Sequence, residues 1–318
     1  MSKTGFQHVY GPVFSRRLGR SLGIDLVPFK TCTYDCIYCQ LGNTTNKTIE
    51  RKEYISVKDV LDELERKLDA SHPPNYISLA GSGEPTLNSG IGDLMEGIKK
   101  LTNIPIAVLT NGSLLWNREV QDALIGADLV MPSLDAGDKH IFKYVNRPHH
   151  EMTFEKIVDG IIAFTKRFQG DVRLEVLLLG GVTGINDEVE KIASIVRKIK
   201  PARVQLNTVV RPPAEEFALP IPADQMLKFK SFFLGEVDII SDSKGDNSGL
   251  LSNSDIKDED ILALLSRRPC TFADVARGLS IHLTEAIKRL DRLVDAGKAD
   301  TVLEDGRRFY ILNQSGGE

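Results

Sequence analysis

The chain has 318 residues, of which 42% are hydrophobic and 26% are charged, and its formal net charge is −4. This length allows one large domain, or a large and a small one, and this composition is ordinary for a globular protein. The charge excludes a global attraction to nucleic acid or to an anionic membrane surface, although a local basic patch can still provide one.

The N-terminal residues 1–8 lack the apolar segment of a signal peptide. No apolar run approaches the ~20 residues that span a bilayer. We therefore expect a cytoplasmic protein with no membrane partner.

Short apolar runs alternate with amphipathic helical patterns over the first 240 residues. Strands are predicted for residues 23–27, 76–80, 104–109, 128–134, 172–179 and 203–209, with a short extra strand over 236–240. Helices are predicted for residues 56–68, 91–101, 117–125, 153–168, 187–199 and 223–233. This alternation implies parallel βα units with right-handed crossovers.

Polar or glycine-rich segments follow every one of these strands. In sequence order they are residues 32–39, 81–85, 110–112, 133–135, 180–181 and 207–213. In a barrel the carboxyl ends of the strands converge on one mouth, whereas a doubly wound open sheet spreads them along a line. Six units are too few to close a TIM barrel, so we expect an α/β fold with a partial (β/α)6 TIM-like barrel.

Three cysteines, Cys32, Cys36 and Cys39, lie within eight residues in the pattern C-x3-C-x2-C. Three thiolates can hold three corners of a four-iron cluster and leave the fourth iron open, as a catalytic centre requires. Zinc would need a fourth ligand, and no Cys or His follows at the usual spacing. Three thiols cannot all pair as disulfides, and the polar neighbours disfavour a simple core. The pattern favours a cluster over zinc, and zinc over a core.

The chain resembles the radical S-adenosylmethionine (SAM) superfamily, whose motif C-x3-C-x-aromatic-C is matched with Tyr38 in the aromatic position. The resemblance implies that Cys32, Cys36 and Cys39 hold a [4Fe-4S] cluster, that SAM binds the open iron, and that Tyr38 lies near the adenine. It also implies that one electron, from a donor such as flavodoxin or ferredoxin, cleaves SAM to methionine and a 5′-deoxyadenosyl radical. This radical takes hydrogen from a substrate. A partial barrel is the core fold of the family.

The resemblance further implies cofactor-binding residues at the strand ends. Residues 81–85 match the family's glycine-rich segment, in which Gly81 and Gly83 allow close backbone approach. Glu84 is expected to accept hydrogen bonds from the methionine ammonium. Ordinary turns or helix caps are the alternative for each of these positions. The other candidates are polar side chains at the next two strand ends, Asn111, Ser133 and Asp135.

Residues 11–25 resemble a subgroup related to the wyosine-forming tRNA enzymes, and the resemblance continues to about residue 210. The 4-demethylwyosine synthases carry additional cysteines for a second cluster, whereas only Cys270 remains here, so that particular reaction is not expected. A basic stretch before the cysteines is either a phosphate or carboxylate site or a solvated surface. It consists of Arg16, Arg17, Arg20 and Lys30.

Residues 241–254 are rich in Ser, Asp, Asn and Gly and predict a linker, which separates a barrel over 1–240 from a second domain over 255–318. Helices over 258–265, 271–279 and 283–296, with hairpin strands over 299–303 and 308–312, predict a winged helix-turn-helix. Its last helix carries cations that could enter a DNA groove. Acidic residues outnumber Lys and Arg in this domain, which favours docking of a substrate or partner over DNA.

Three functions remain open. The first is a radical SAM enzyme that modifies a macromolecule, possibly tRNA. The second is a radical SAM enzyme that modifies a protein or peptide held by the winged helix. The third is an iron–sulfur regulator that binds DNA; it ranks last because it leaves the six strand ends and Glu84 unexplained.

Overall fold

The computed structural model describes residues 8–68, 73–240, 257–279, 281–304 and 306–313. These residues form an α/β fold with a mostly parallel central sheet, consistent with a partial barrel. Within the described residues, no helix has the length and apolar character needed to cross a bilayer.

The eight strands of the central sheet lie side by side in chain order. They are β1 (Val9–Ser15), β2 (Gly19–Ile24), β3 (Tyr76–Leu79), β4 (Ile106–Thr110), β5 (Leu129–Pro132), β6 (Asp171–Leu178), β7 (Arg203–Thr208) and β8 (Val237–Ile239). β1 pairs with β2 in an antiparallel manner, and all later neighbours pair in parallel. The carboxyl ends of the parallel strands, which carry the predicted motifs, therefore all lie on the same side of the sheet.

In the described part of the chain up to residue 240, seven helices accompany the sheet and bury their apolar faces against it. They are α1 (Val57–Lys67), α2 (Ile91–Leu101), α3 (Arg118–Leu124), α4 (Lys139–Val145), α5 (Phe154–Arg167), α6 (Asn186–Ile199) and α7 (Ala223–Lys230). In α2, Leu94, Met95 and Ile98 are fully buried, as their helical spacing requires. A short 3-10 helix, Pro85–Leu87, follows β3.

The six predicted strands are present, and the predicted extra strand is β8. The first strand was predicted to begin at residue 23, but β2 begins at Gly19 and forms a hairpin with β1, which the sequence did not predict. The register of β1 is irregular between Tyr10 and Val13, so its side chains do not alternate in the simple way that marks a strand. Helix α4 was also not predicted.

The described C-terminal residues, 257–279, 281–304 and 306–313, fold as three helices and an antiparallel hairpin. These are α8 (Asp258–Leu265), α9 (Phe272–Gly278), α10 (Leu283–Asp295), β9 (Ala299–Glu304) and β10 (Arg307–Leu312). They surround a core of their own that includes Ile261, Val275 and Leu290, and Cys270 is 1% exposed within it. The predicted linker, residues 241–254, lies outside the described residues.

The C-terminal helices pack on the hairpin of β1 and β2 through a buried ion pair. Arg267 Nε lies 2.7 Å from Asp25 Oδ2, and the two side chains are 13% and 7% exposed. The guanidinium also lies 4.2 Å from the centre of the Tyr10 ring. Burial raises the pKa of Asp25, and Arg267 opposes this effect. The ion pair therefore joins the segment after β2 to the connection between α8 and α9.

Arg267→Ala is expected to lower the free energy of unfolding by about 3 kcal/mol, because it leaves the Asp25 carboxylate buried without its cation. Urea denaturation followed by circular dichroism measures this change. Arg118→Ala is the matched control, since Arg118 pairs with Asp122 on the surface and is 69% exposed; its cost should stay within about 0.5 kcal/mol. Equal costs for both variants would show that the buried pair has no special role.

Candidate active site

The three cysteines of the C-x3-C-x2-C motif line one cavity of about 310 Å³ at the carboxyl ends of the strands. Cys32 ends a two-residue strand, Thr31–Cys32, that pairs in parallel with Asn46–Lys47. The loop then turns, with the amide of Cys39 donating to the carbonyl of Cys36 at 3.1 Å. Backbone pairing thus holds the three sulfur atoms toward the same space.

Each cysteine sulfur has a side-chain nitrogen donor beside it. Such donors stabilise thiolates and tune the metal that the thiolates hold. The three donors come from three different parts of the chain, so the folded barrel, and not the loop alone, sets the electrostatics of the sulfur atoms. The pairs are Asn111 Nδ2 to Cys32 Sγ at 3.6 Å, Asn146 Nδ2 to Cys36 Sγ at 3.5 Å and Lys30 Nζ to Cys39 Sγ at 3.2 Å.

The three sulfur atoms are spaced too widely to share a single zinc ion as they stand. Among the described residues, the three sulfur atoms do not form a group whose members all lie within 4.8 Å of one another. Thiolates around one tetrahedral zinc, at about 2.3 Å from the metal, would lie roughly 3.8 Å apart.

Burial raises the pKa of Cys32 to about 12 and that of Cys36 well above its usual range, so metal binding must expel protons from both thiols.

The glycine-rich turn after β3 also lines the cavity and is hydrogen-bonded to Lys30 and Thr31, which lead into the cysteine loop. Gly81 has φ +120, and a Cβ atom there would lie 1.7 Å from Asp25 Oδ1. A Cβ atom on Gly83 would lie 1.9 Å from the carbonyl oxygen of Thr31. The amide of Ser82 donates to Asp25 Oδ1 at 2.7 Å. Only glycine fits at these two positions, and the turn presents backbone rather than side chains to the cavity.

Glu84 lies behind the cavity wall and is 1% exposed. Its Oε1 accepts hydrogen bonds from the amide and hydroxyl of Thr86 and from the hydroxyl of Thr110, and its Oε2 accepts from the amide of Asn111 at 2.8 Å. Burial raises the pKa of Glu84, and these donors oppose that effect. The carboxylate ties the ends of β3 and β4 together, and its contact with SAM stays a prediction.

Tyr38 lines the cavity, and its hydroxyl donates to Asp135 Oδ2. Asp135 also accepts from Asn146 Nδ2 at 3.0 Å and from the amide of Leu177 at 3.1 Å. Burial raises the pKa of Asp135 to about 6. Asp135 therefore orients Tyr38 and Asn146. Ser133 is half-buried after β5, and neither it nor Asp135 nor Asn111 is among the described residues that line the cavity.

Several residues in and around the cavity were not predicted as site residues. Asn146 contacts both Cys36 and Asp135. It lies in a loop after α4, and the one indication in the sequence was that this loop follows the fourth predicted strand. The cationic wall includes three residues of the basic stretch, Arg16, Arg17 and Lys30. It also includes Arg211, which lies in the predicted polar segment after β7, and Arg268 and Arg277, which no motif marked and which belong to the C-terminal helices and their connection.

A family model described as the radical SAM superfamily matches residues 26–196. A UPF0026 protein of Methanocaldococcus jannaschii is 33% identical over 96% of this chain and 95% of its own length. A protein of Brachyspira hyodysenteriae named GTPase Obg is 40% identical over 98% of this chain, which spans 46% of that relative.

A solved structure of a radical SAM methyltransferase from Sphaerobacter thermophilus shares the fold with a TM-score of 0.53 and 16% identity, and the match covers 71% of this chain and 67% of that one. This likeness supports the architecture, while the family model covers the cysteine motif and the strands up to α6. The chain therefore belongs to the radical SAM superfamily of enzymes, whose cofactors are a [4Fe-4S] cluster and S-adenosylmethionine.

Proposed function

We propose that this radical SAM enzyme modifies a macromolecule, with tRNA as the first candidate substrate. The observation that carries the proposal is one cavity lined together by Cys32, Cys36 and Cys39, by Gly81 and Gly83, and by a wall of arginines. Thiolates, open backbone and cations thus face the same space. These are the groups needed to hold an iron–sulfur cluster, a sulfonium cofactor and an anionic substrate.

The cluster and SAM, when bound, supply the one-electron chemistry that activates a substrate C–H bond. The chain's part is to hold and position. In this proposal Cys32, Cys36 and Cys39 bind three of the irons, and the turn with Gly81 and Gly83 approaches SAM through its backbone. The other proposed cofactor-binding residues support or complete this site, and they are Tyr38, Glu84, Asn111, Ser133 and Asp135.

The C-terminal part is proposed to be a winged-helix domain, residues 255–318, joined by the linker 241–254 to a barrel over 1–240. We propose that it holds the substrate over the barrel mouth. This is supported by Arg268, Asp274 and Arg277, which line the same cavity as the cysteines. An electron donor such as flavodoxin or ferredoxin and a cytoplasmic location complete the proposal.

A nucleic-acid substrate is supported by the arginines of the cavity, because guanidinium groups match phosphate geometry. Resemblance to the wyosine-related subgroup points in the same direction. A relative from Methanocella arvoryzae named probable GTP 3′,8-cyclase is 28% identical over 61% of this chain, and its name refers to a nucleotide substrate.

A protein or peptide substrate is the second candidate. It is supported by an exposed aromatic pair beside the cysteine loop, since the rings of Tyr144 and Phe217 lie 6.3 Å apart and are 49% and 46% exposed. The DNA-regulator hypothesis has less support. In α10, Arg289 contacts Glu285 at 2.7 Å and Asp258 at 3.4 Å, which reduces the positive charge it offers to a phosphate backbone.

The proposal is tested by incubating anaerobically reconstituted protein with SAM and a reductant, in the presence of either unfractionated tRNA or nucleic-acid-free protein from the same cells. We expect tRNA to stimulate the formation of methionine and 5′-deoxyadenosine, and mass spectrometry of the digested tRNA to show a new nucleoside. Stimulation by the protein fraction alone would favour the second candidate. SAM cleavage that neither fraction alters would contradict a macromolecular substrate.

A further inference from the structure

We propose that the gap between the barrel mouth and the C-terminal helices is a phosphate-binding site for the nucleotides of an RNA substrate. The inference rests on the proposed function and deepens it, because it assigns the substrate contact to named residues. The site comprises Arg16 and Arg17 between β1 and β2, Arg211 after β7, and Arg268 and Arg277 of the C-terminal part. Three segments that are distant in sequence thus present guanidinium groups to one cavity.

The charges along the cavity do not balance. Among its described lining residues the cations are Arg16, Arg17, Lys30, Arg211, Arg268 and Arg277, whereas the carboxylates are Glu175 and Asp274. Both carboxylates are already engaged. Arg17 pairs with Glu175, while one oxygen of Asp274 lies 3.4 Å from Arg211 Nη2 and 3.6 Å from Arg277 Nη2. Cations therefore outnumber carboxylates among the described residues that line the cavity.

The cofactors do not remove this excess. An oxidised [4Fe-4S] core with three thiolates carries one net negative charge, and SAM carries one net positive charge from its sulfonium, ammonium and carboxylate groups. The two cancel, so the cofactors leave the charge balance of the cavity wall unchanged. Concentrating like charges in a partly enclosed space is unfavourable unless an anion enters it.

The chemistry of the wall favours phosphate. Guanidinium groups bind phosphate oxygens through two parallel hydrogen bonds, and several of them suit a ligand that carries repeated negative charge. The arginines also come from both the barrel and the C-terminal part, so they can contact one RNA segment from two sides. Arg211 is 8% exposed, which places part of the site out of bulk water, where charge–charge contacts are stronger.

The test measures RNA binding by fluorescence anisotropy, using anaerobic full-length protein with its cluster and SAM. The probe is a fluorescein-labelled, single-stranded RNA of mixed sequence and about 12 nucleotides, a length within the range that single binding folds cover. We expect Arg277→Ala to weaken RNA binding about ten-fold, since one charge-assisted contact is lost. The salt dependence of binding should become shallower as well. Arg268→Ala provides a second variant in case Arg277→Ala destabilises α9, and thermal unfolding identifies that case.

Arg197→Ala is the matched control, because Arg197 is exposed on α6 and does not line the cavity; its RNA affinity should equal that of the wild type. Competition of guanosine monophosphate with the RNA, if it depends on Arg277, would support phosphate recognition. It would also identify a free nucleotide as the source of the phosphate. Unchanged RNA affinity in both the Arg268 and the Arg277 variants would overturn the inference while leaving the proposed function intact. A polyglutamate peptide that binds more tightly than RNA would overturn the inference in favour of an acidic protein.

Titration of SAM into the same variants separates the substrate from the cofactor. We expect the loss of affinity to be greater for RNA than for SAM. An equal or greater loss for SAM would assign these arginines to the cofactor and would also overturn the inference. If wild-type protein retains no RNA or nucleotide at all, both this inference and the tRNA proposal fail, whereas SAM cleavage still reports the radical SAM activity.

Discussion

Cys36→Ala is expected to abolish both iron binding and SAM cleavage. Anaerobically reconstituted wild-type protein should contain about four irons per chain. The variant leaves two thiolates, which cannot hold a four-iron cluster with one open corner, and it also deprives Asn146 Nδ2 of its sulfur acceptor at 3.5 Å. Iron and sulfide analysis measures the first loss, and chromatographic detection of 5′-deoxyadenosine after reduction measures the second.

Cys270→Ala is the matched control for this experiment. Cys270 is the remaining cysteine of the chain and lies in the core of the C-terminal helices, where it is 1% exposed. Its replacement should retain the full iron content and SAM cleavage, at a cost of about 1 kcal/mol in the free energy of unfolding. Full iron content and cleavage in Cys36→Ala would refute the assignment of the cysteine motif.

Gly81→Ala is expected to weaken SAM binding at least about ten-fold while leaving the iron content near that of the wild type. The added methyl group would lie 1.7 Å from Asp25 Oδ1 at a backbone φ of +120, so the turn must move. Moving the turn breaks the hydrogen bond from the Ser82 amide to Asp25 and withdraws backbone from the proposed SAM site. Equilibrium dialysis with radiolabelled SAM under anaerobic conditions measures the affinity.

Gly235→Ala controls for the strain of a left-handed backbone alone. Gly235 has φ +86, but a Cβ atom there would meet no atom within 4 Å, and the residue lies in the exposed segment between α7 and β8. Its replacement should cost about 1 kcal/mol of stability and leave SAM affinity unchanged. Normal SAM binding by Gly81→Ala would exclude this turn from the cofactor site, and loss of iron instead of SAM would make its role structural.

The sequence predicts the parallel sheet well because local signals and tertiary packing agree there. Helix α2 begins and ends at the predicted residues, since its apolar stripe coincides with the face that is buried on the sheet. The three cysteines and the glycines of residues 81–85 meet in one cavity, as expected for motifs at the ends of neighbouring parallel strands.

What the sequence did not predict depends on contacts between distant segments. Arg267 and Asp25 are 242 positions apart, and no periodicity links them. Their contact helps to bring Arg268 and Arg277 to the cavity, so the C-terminal part of the cationic wall forms only when these helices dock. Similarly, motif matching identified Asp135 as a residue of interest, but its contacts with Tyr38 and Asn146 depend on how the strand ends pack.

Electron paramagnetic resonance of the reduced, anaerobic protein before and after addition of SAM tests the central claim most directly. A [4Fe-4S] cluster held by three thiolates has an iron that SAM can bind, so we expect a cluster signal whose shape changes when SAM is added. A signal that SAM leaves unchanged, or stoichiometric zinc in place of iron, would contradict the account.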